Sequence, residues 1–96
     1  MSAYCLFENL QVTDPAGLEA YKQRVAPLVE RFGGRYVVLG GRTERVEGDW
    51  SPAFLVMIEF PDFARAQQWY HSPEYGELKR LRLAAGRYNA VIVEGL

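Results

Sequence analysis

One stretch of this chain, Trp69-Tyr70-His71-Ser72-Pro73-Glu74-Tyr75, gathers more potential chemistry than any other. His71 is the only histidine, and the only side chain in that stretch whose ordinary pKa lies near neutrality, so it can serve as a general acid or base. Ser72-Pro73 signals a helix start, with Ser72 as the cap and Pro73 at the first helical position. The free N–H groups and positive dipole end of such a start favour a carboxylate, phosphate or enolate. Trp69 and Tyr75 can wall an apolar pocket there, and Tyr70 can add a hydroxyl. A plainer reading competes: a cap, core aromatics, and a histidine in a solvated turn with nothing nearby to orient it as a base.

Two more charged residues are candidates. Glu59 shares strand parity with Leu55 and Met57 in the most apolar run of the chain. A carboxylate buried there must find a partner or shift its pKa upward, which is how a base is poised near neutral pH. Pairing with Arg35, Arg42 or Arg82 is the structural alternative, and an exposed strand end just before Pro61 is another. Arg82 falls seven residues after Tyr75, two helical turns on, so both lie on one face. Its planar fork can clamp a substrate carboxylate, although solvated arginines are commoner. Glu47-Gly48 and Glu94-Gly95 read only as a turn and a strand end.

The elements that must position these groups are set by periodicity. A first strand spans residues 3–12. Thr13-Asp14-Pro15 then opens a helix, with Asp14 accepting from an orphan backbone N–H. Leu18, Tyr21, Val25, Leu28, Val29 and Phe32 recur at helical spacing along it. Pro27 lies inside that stripe and predicts a bend, and Gly33-Gly34 supplies the stop. A second strand is predicted over 35–46, a turn over 47–52 and a third strand over 53–60. Pro61-Asp62 starts a second helix, which the Ser72-Pro73 signal breaks and reopens. Gly86 ends the reopened segment, and residues 88–94 form the last strand. The order β-α-β-β-α-β predicts one α+β domain of ferredoxin-like type over residues 1–96, with a four-stranded antiparallel sheet.

A chain of 96 residues has a thin core, commonly supplemented by disulfides, a metal or a partner chain. The lone Cys5 excludes an internal disulfide, and Cys5 with His71 cannot make a four-ligand zinc site. That leaves a partner. In a ferredoxin-like fold the helices cover one sheet face, so the other should alternate polar. Here Tyr4 and Leu6 oppose Cys5 and Phe7, Leu55 and Met57 oppose Val56 and Ile58, and Val91 and Val93 oppose Ala90 and Ile92. Both faces are apolar, a patch beyond what monomers tolerate, so a homodimer packed through its sheet faces is expected.

Apolar residues make up 49% of the chain, which excludes disorder, and a net charge of −1 with no basic run argues against nucleic acid. The N-terminus lacks the pattern of a signal peptide, and no apolar run approaches the ~20 residues of a membrane span. The expected compartment is the cytoplasm, where a free thiol is at ease.

The strings GGRYVVLGGRTERVEG, FPDFARAQQWYHSPEY and LRLAAGRYNAVIVEG resemble a bacterial family of about 95 residues, domain-of-unknown-function family 1330, from Tyr4 to Gly95. The resemblance implies a dimeric α/β barrel, two ferredoxin-like protomers joined through their sheets. It implies no established activity, since superfamily relatives include cofactor-free monooxygenases, isomerases, cyclases and haem enzymes, and fold alone does not decide among them. Asn9, Trp69 and His71 are similar to the trio of haem-degrading relatives, but Trp69 and His71 stand nearly opposite on a helix. No P-loop, GxGxxG, HExxH, CxxC or nucleophile elbow is present, and neither metal nor organic cofactor is expected.

Three functions remain open. The first is a cofactor-independent enzyme of isomerase, monooxygenase or cyclase type, acting on a small carbonyl or carboxylate compound between sheet and helices. His71 or Glu59 would be its base, with Trp69, Tyr70, Ser72, Tyr75 and Arg82 binding the ligand. The second is a non-catalytic binding module using the same space. The third is an interaction protein whose pocket is filled by side chains.

Overall fold

The computed structural model describes all 96 residues. The elements run β1 (Ala3–Val12), α1 (Pro15–Arg31), β2 (Arg35–Leu39), β3 (Leu55–Phe60), α2 (Phe63–Tyr70), α3 (Pro73–Ala84) and β4 (Gly86–Glu94). Every helix opens on the cap its sequence announces. The Asp14 carboxylate accepts from the Gly17 N–H at 3.0 Å, Asp62 from the Arg65 N–H at 2.7 Å, and the Ser72 hydroxyl from the Tyr75 N–H at 3.1 Å. Each cap satisfies a donor that the first helical turn leaves unpaired, an effect of about 1 kcal/mol. Pro27 lies on the exposed side of α1, and the helix continues through it to Arg31 as one element. The carbonyl it leaves unpaired belongs to Gln23, which is also exposed.

The sheet is antiparallel throughout in the order β2-β3-β1-β4, the ferredoxin-like α+β arrangement. The molecule is only 17 Å through its thinnest axis, one sheet and one helical layer, so the second sheet face is bare. No helix is long and apolar enough to cross a membrane. Register assigns the faces. Cys5, Phe7, Ile58 and Phe60 turn under the helices into the core. Their strand neighbours Tyr4, Leu6, Leu55 and Met57, with Val91 and Val93 opposite them on β4, make up the open face.

β2 ends seven residues earlier than the periodicity predicts, at Leu39 against the expected 46. Its last ladder contact is the Gly40 N–H to the Leu55 carbonyl at 2.7 Å, where β3 itself begins. Gly40 turns the chain away at φ 65°, a conformation that favours glycine. The charged segment beyond it has no apolar alternation to bury, and residues 41–51 are all exposed.

Two bulges interrupt the ladders. One extra residue, Val37, lies between the Tyr36–Ile58 and Val38–Met57 pairs. A second, Leu10, lies between Asn9–Tyr88 and Gln11–Arg87. A bulge flips the parity of the residues beyond it, so Tyr36 and Leu39 both reach the helix side of the sheet.

Candidate functional site

α1 packs chiefly on α3, and between α1 and the sheet lies a cavity of about 430 Å³. That is a common size for a small-molecule site. Side chains do not fill it. Tyr21, Lys22 and Val25 come down from α1, Tyr36 and Leu39 up from the bulged β2, and Phe7 and Val56 from the floor. Asn9 and Tyr88, the pair beside the second bulge, also line the cavity, as does Arg82 of α3, which lies against the Tyr88 ring. Both irregularities of the sheet therefore border this space.

Arg82 is the most unusual residue in it. Its side chain is only 4% exposed, yet neither ion pair of the protein includes it and no acidic residue lines the cavity. The guanidinium carbon sits 5.1 Å from the centroid of the Phe7 ring and 4.8 Å from that of Tyr88. Cation–π attraction of this kind stabilises a partly desolvated guanidinium. Its Nε donates to the Tyr75 hydroxyl at 3.3 Å, and that hydroxyl shares a 2.8 Å hydrogen bond with Tyr21. Nη1 has no protein acceptor, and neither does the buried Tyr88 hydroxyl have a protein partner. Burial opposes the guanidinium charge, but the Tyr75 and Tyr21 oxygens outweigh it, and Arg82 stays a cation. Burial also raises Tyr21, Tyr75 and Tyr88 above the usual phenol range and pushes Tyr36 up to about 12. At neutral pH these phenols are protonated hydrogen-bond donors.

The residues expected from sequence divide among five places. Arg82 and Tyr75 meet as their seven-residue spacing predicts, Arg82 on the cavity wall and Tyr75 behind it. Trp69 is core: fully buried, its ring lies 4.3 Å from that of Tyr75 and 5.4 Å from that of Phe60. Ser72 is occupied as a cap, also donating to the Trp69 carbonyl at 2.8 Å. Tyr70 and the exposed His71 border a separate groove of about 240 Å³ beside Cys5 and β4.

Glu59 stands on the open face, across the sheet from the cavity. Its carboxylate accepts from Arg35 Nε at 2.8 Å and from the Tyr4 hydroxyl at 3.2 Å. Of the two alternatives, a partner or an upward shift, the partner is found: Glu59 pairs with Arg35, and its pKa moves down. The Arg35 hydrogen bond, helped by Ser2 and Tyr4, outweighs burial and holds Glu59 below the usual carboxylate range. Of the expected binding groups, only Arg82 lines the cavity, with Tyr75 hydrogen-bonded behind it. The cavity adds Tyr21, from the apolar stripe of the first helix, Tyr36 and Tyr88, from predicted strands, and Asn9; six tyrosines in so small a chain were the available hint.

Residues 2–96 match the family described as Domain of unknown function (DUF1330). The chain belongs to that family. No functionally curated protein matches it. A solved protein of unknown function from Rhodopseudomonas palustris is similar to this DUF1330 chain at 23% identity with a TM-score of 0.74, over 99% of this chain and 82% of its own. SnoaB, a cofactor-independent oxygenase from Streptomyces nogalater, is similar at 16% identity and a TM-score of 0.65, over 99% and 91%. A dimeric ferredoxin-like protein of unknown function from Jannaschia sp. CCS1 is similar at 12% and 0.65, over 99% and 100%. At such identities the likeness is one of fold.

Proposed function

We propose that this DUF1330 protein is a cytoplasmic homodimer whose protomers each hold a small carbonyl or carboxylate compound in the α1 cavity and act on it without a cofactor. The observation that carries the reading is Arg82, a guanidinium buried at the wall of an otherwise mostly apolar cavity with no carboxylate partner. A buried charge without a counter-charge is costly, and a ligand anion would offset that cost. The same guanidinium would stabilise an enolate or oxyanion as it forms, because it is fixed in place and screened from water. The chemistry that fits is isomerisation of a substrate acidic enough to give its proton to water, be held as the anion beside Arg82, and take a proton back from water at another carbon. The fold shared with a cofactor-independent oxygenase is consistent with this.

The homodimer reading rests on the open face. Leu6, Leu55, Met57, Val91 and Val93 make an apolar centre, with Val91 57% exposed. At one end is the Glu59–Arg35–Tyr4 cluster, and at the other Glu8 accepts from Trp50 Nε1 at 2.8 Å and Asn89 Nδ2 at 3.3 Å. An apolar centre with polar ends is the anatomy of an interface. Met57→Lys would place two unpaired charges in it, and a native mass equal to one chain is then expected where the wild type gives two.

A second reading, a binding module without turnover, is favoured by one fact: no His, Asp, Glu or Cys lines the cavity to serve as a base. A thermal-shift screen of small acids, lactones and phenols tests the site, and NMR of each hit after incubation separates the readings. Conversion supports the enzyme, and unchanged ligand supports the binder. Hits whose shift survives Arg82→Ala would place the ligand elsewhere.

A further inference from the structure

We infer that the cavity selects a small flat monoanion, an aryl or conjugated carboxylate or an enolate, whose charged oxygens are held by Arg82 and Tyr88. The inference rests on the cavity being the ligand site and adds what it selects. Three buried side-chain polar atoms in the chain lack a protein partner: Trp69 Nε1, Arg82 Nη1 and the Tyr88 hydroxyl. Two of the three belong to residues that line this one cavity. Each is a donor closed off from solvent in this structure, and buried donors ordinarily find acceptors, so a ligand in the cavity engages the two at its wall as the side chains around them shift.

The geometry limits how Arg82 can be used. Its guanidinium carbon lies 5.1 Å from the Phe7 ring centroid and 4.8 Å from that of Tyr88, and its Nε is taken by Tyr75. What remains is the outer part of the fork, the part that pairs with planar oxyanions. Gly86 gives Tyr88 its place. A Cβ at Gly86 would collide with the Gln11 carbonyl oxygen and lie 2.9 Å from the Tyr88 hydroxyl. Gly86 is thus a positioning residue for the second donor.

The rest of the cavity sets the ligand's charge and shape. No carboxylate lines it, so a cationic ligand meets two positive groups and no negative one. The second of these is Lys22, whose Nζ lies 5.6 Å from the centroid of the Phe54 ring. Lys22 is exposed to solvent, so the one buried guanidinium balances one negative charge. The body of the ligand lies between a helix and a sheet, against the aromatic side chains of Tyr36, Phe54 and Tyr21, which suits a flat apolar frame.

A matched set of probes tests this: 1-naphthoate, its methyl ester and 1-naphthylmethylamine, titrated calorimetrically into the full-length protein. Naphthoate should bind at least about tenfold more tightly than the ester, and the amine should not bind, as expected when a charge-assisted hydrogen bond decides. Arg82→Met should lower naphthoate to the ester's affinity and leave the ester within about threefold of its own value. Tyr88→Phe, which keeps the ring, should weaken naphthoate by roughly 3- to 10-fold with the ester little changed. Arg82→Lys guards against misfolding in the Met variant: with charge kept and fork lost, naphthoate should fall between the two. Equal affinity for acid and ester, tighter binding of the amine, or naphthoate binding unaffected by Arg82→Met would overturn the inference while leaving the cavity as a ligand site. Failure of all three probes to bind would overturn both.

Discussion

Glu59 and Arg82 are both charges set among apolar residues of one thin domain, and the fold treats them in opposite ways. Glu59 is met by Arg35 and Tyr4, its pKa falls, and the group is consumed in holding the end of the open face. Arg82 is buried more deeply, yet it is met only by a neutral phenol and two aromatic rings. Complete pairing marks a structural charge. An incomplete set of partners, at the wall of a cavity, marks one that awaits a ligand.

The sharpest test of that contrast compares the tyrosine attached to each charge. Tyr75→Phe removes the hydroxyl between Arg82 and Tyr21 and strands a buried partner on both sides. It should cost about 1–3 kcal/mol, against under ~1 kcal/mol for Tyr4→Phe, read from urea unfolding at fixed protein concentration. Equal losses would mean that the two clusters do the same job.

Arg82→Met asks the next question. If the guanidinium serves a ligand rather than the fold, a flexible apolar side chain can take its place between the Phe7 and Tyr88 rings. Stability should then change by less than about 1 kcal/mol, or rise, as when buried ionic groups give way to hydrophobes of similar size. A loss above about 3 kcal/mol, the usual cost of breaking a buried charge network, would make Arg82 structural.

How much of this contrast was legible in the sequence depends on the range of the interactions involved. Arg82 and Tyr75 were legible as a pair because two helical turns bring residues i and i+7 together whatever else the chain does. The two apolar faces were legible because parity along a strand is equally local. The partners of Glu59 were narrowed to a few arginines that included Arg35, but the choice depends on a pairing 24 residues distant. The bulge at Val37 left no local mark, and it is what puts Leu39 on the same face as Tyr36 at the cavity border; Asn9 and Tyr88 reach that border by plain alternation, just before the bulge at Leu10. For Trp69 the sequence leaves wall and core both open, because an aromatic at helical spacing looks the same whether it lines a space or fills one. Its stacking on Tyr75 and Phe60 fills it.

The two clusters should also carry opposite limbs of the stability profile against pH. Unfolded tyrosines ionise near pH ~10, whereas burial keeps Tyr21 and Tyr75 protonated above that. Above pH ~10 the unfolded chain has lost protons that the folded chain retains, so the pair's contribution is complete below that pH and declines as pH rises. Tyr21→Phe should flatten this alkaline limb. A phenolate absorbance titration of the native protein should show the pair ionising only as it unfolds.

The smallest effect belongs to Glu59, and its sign is the reverse. Arg35 holds the folded carboxylate below the unfolded value of ~4.3, so its contribution is complete above that pH and is lost as pH falls through the lower folded pKa. Glu59→Gln should therefore leave neutral-pH stability slightly lower and make the acid limb shallower. Arg35 is 74% exposed, so the difference should shrink further as salt is added. Urea unfolding of both proteins at neutral pH and again below pH ~4, each at low and high ionic strength, reads all three changes. Superimposable profiles would show that Glu59 is not held by its partners in solution, and would remove the paired half of the contrast with Arg82.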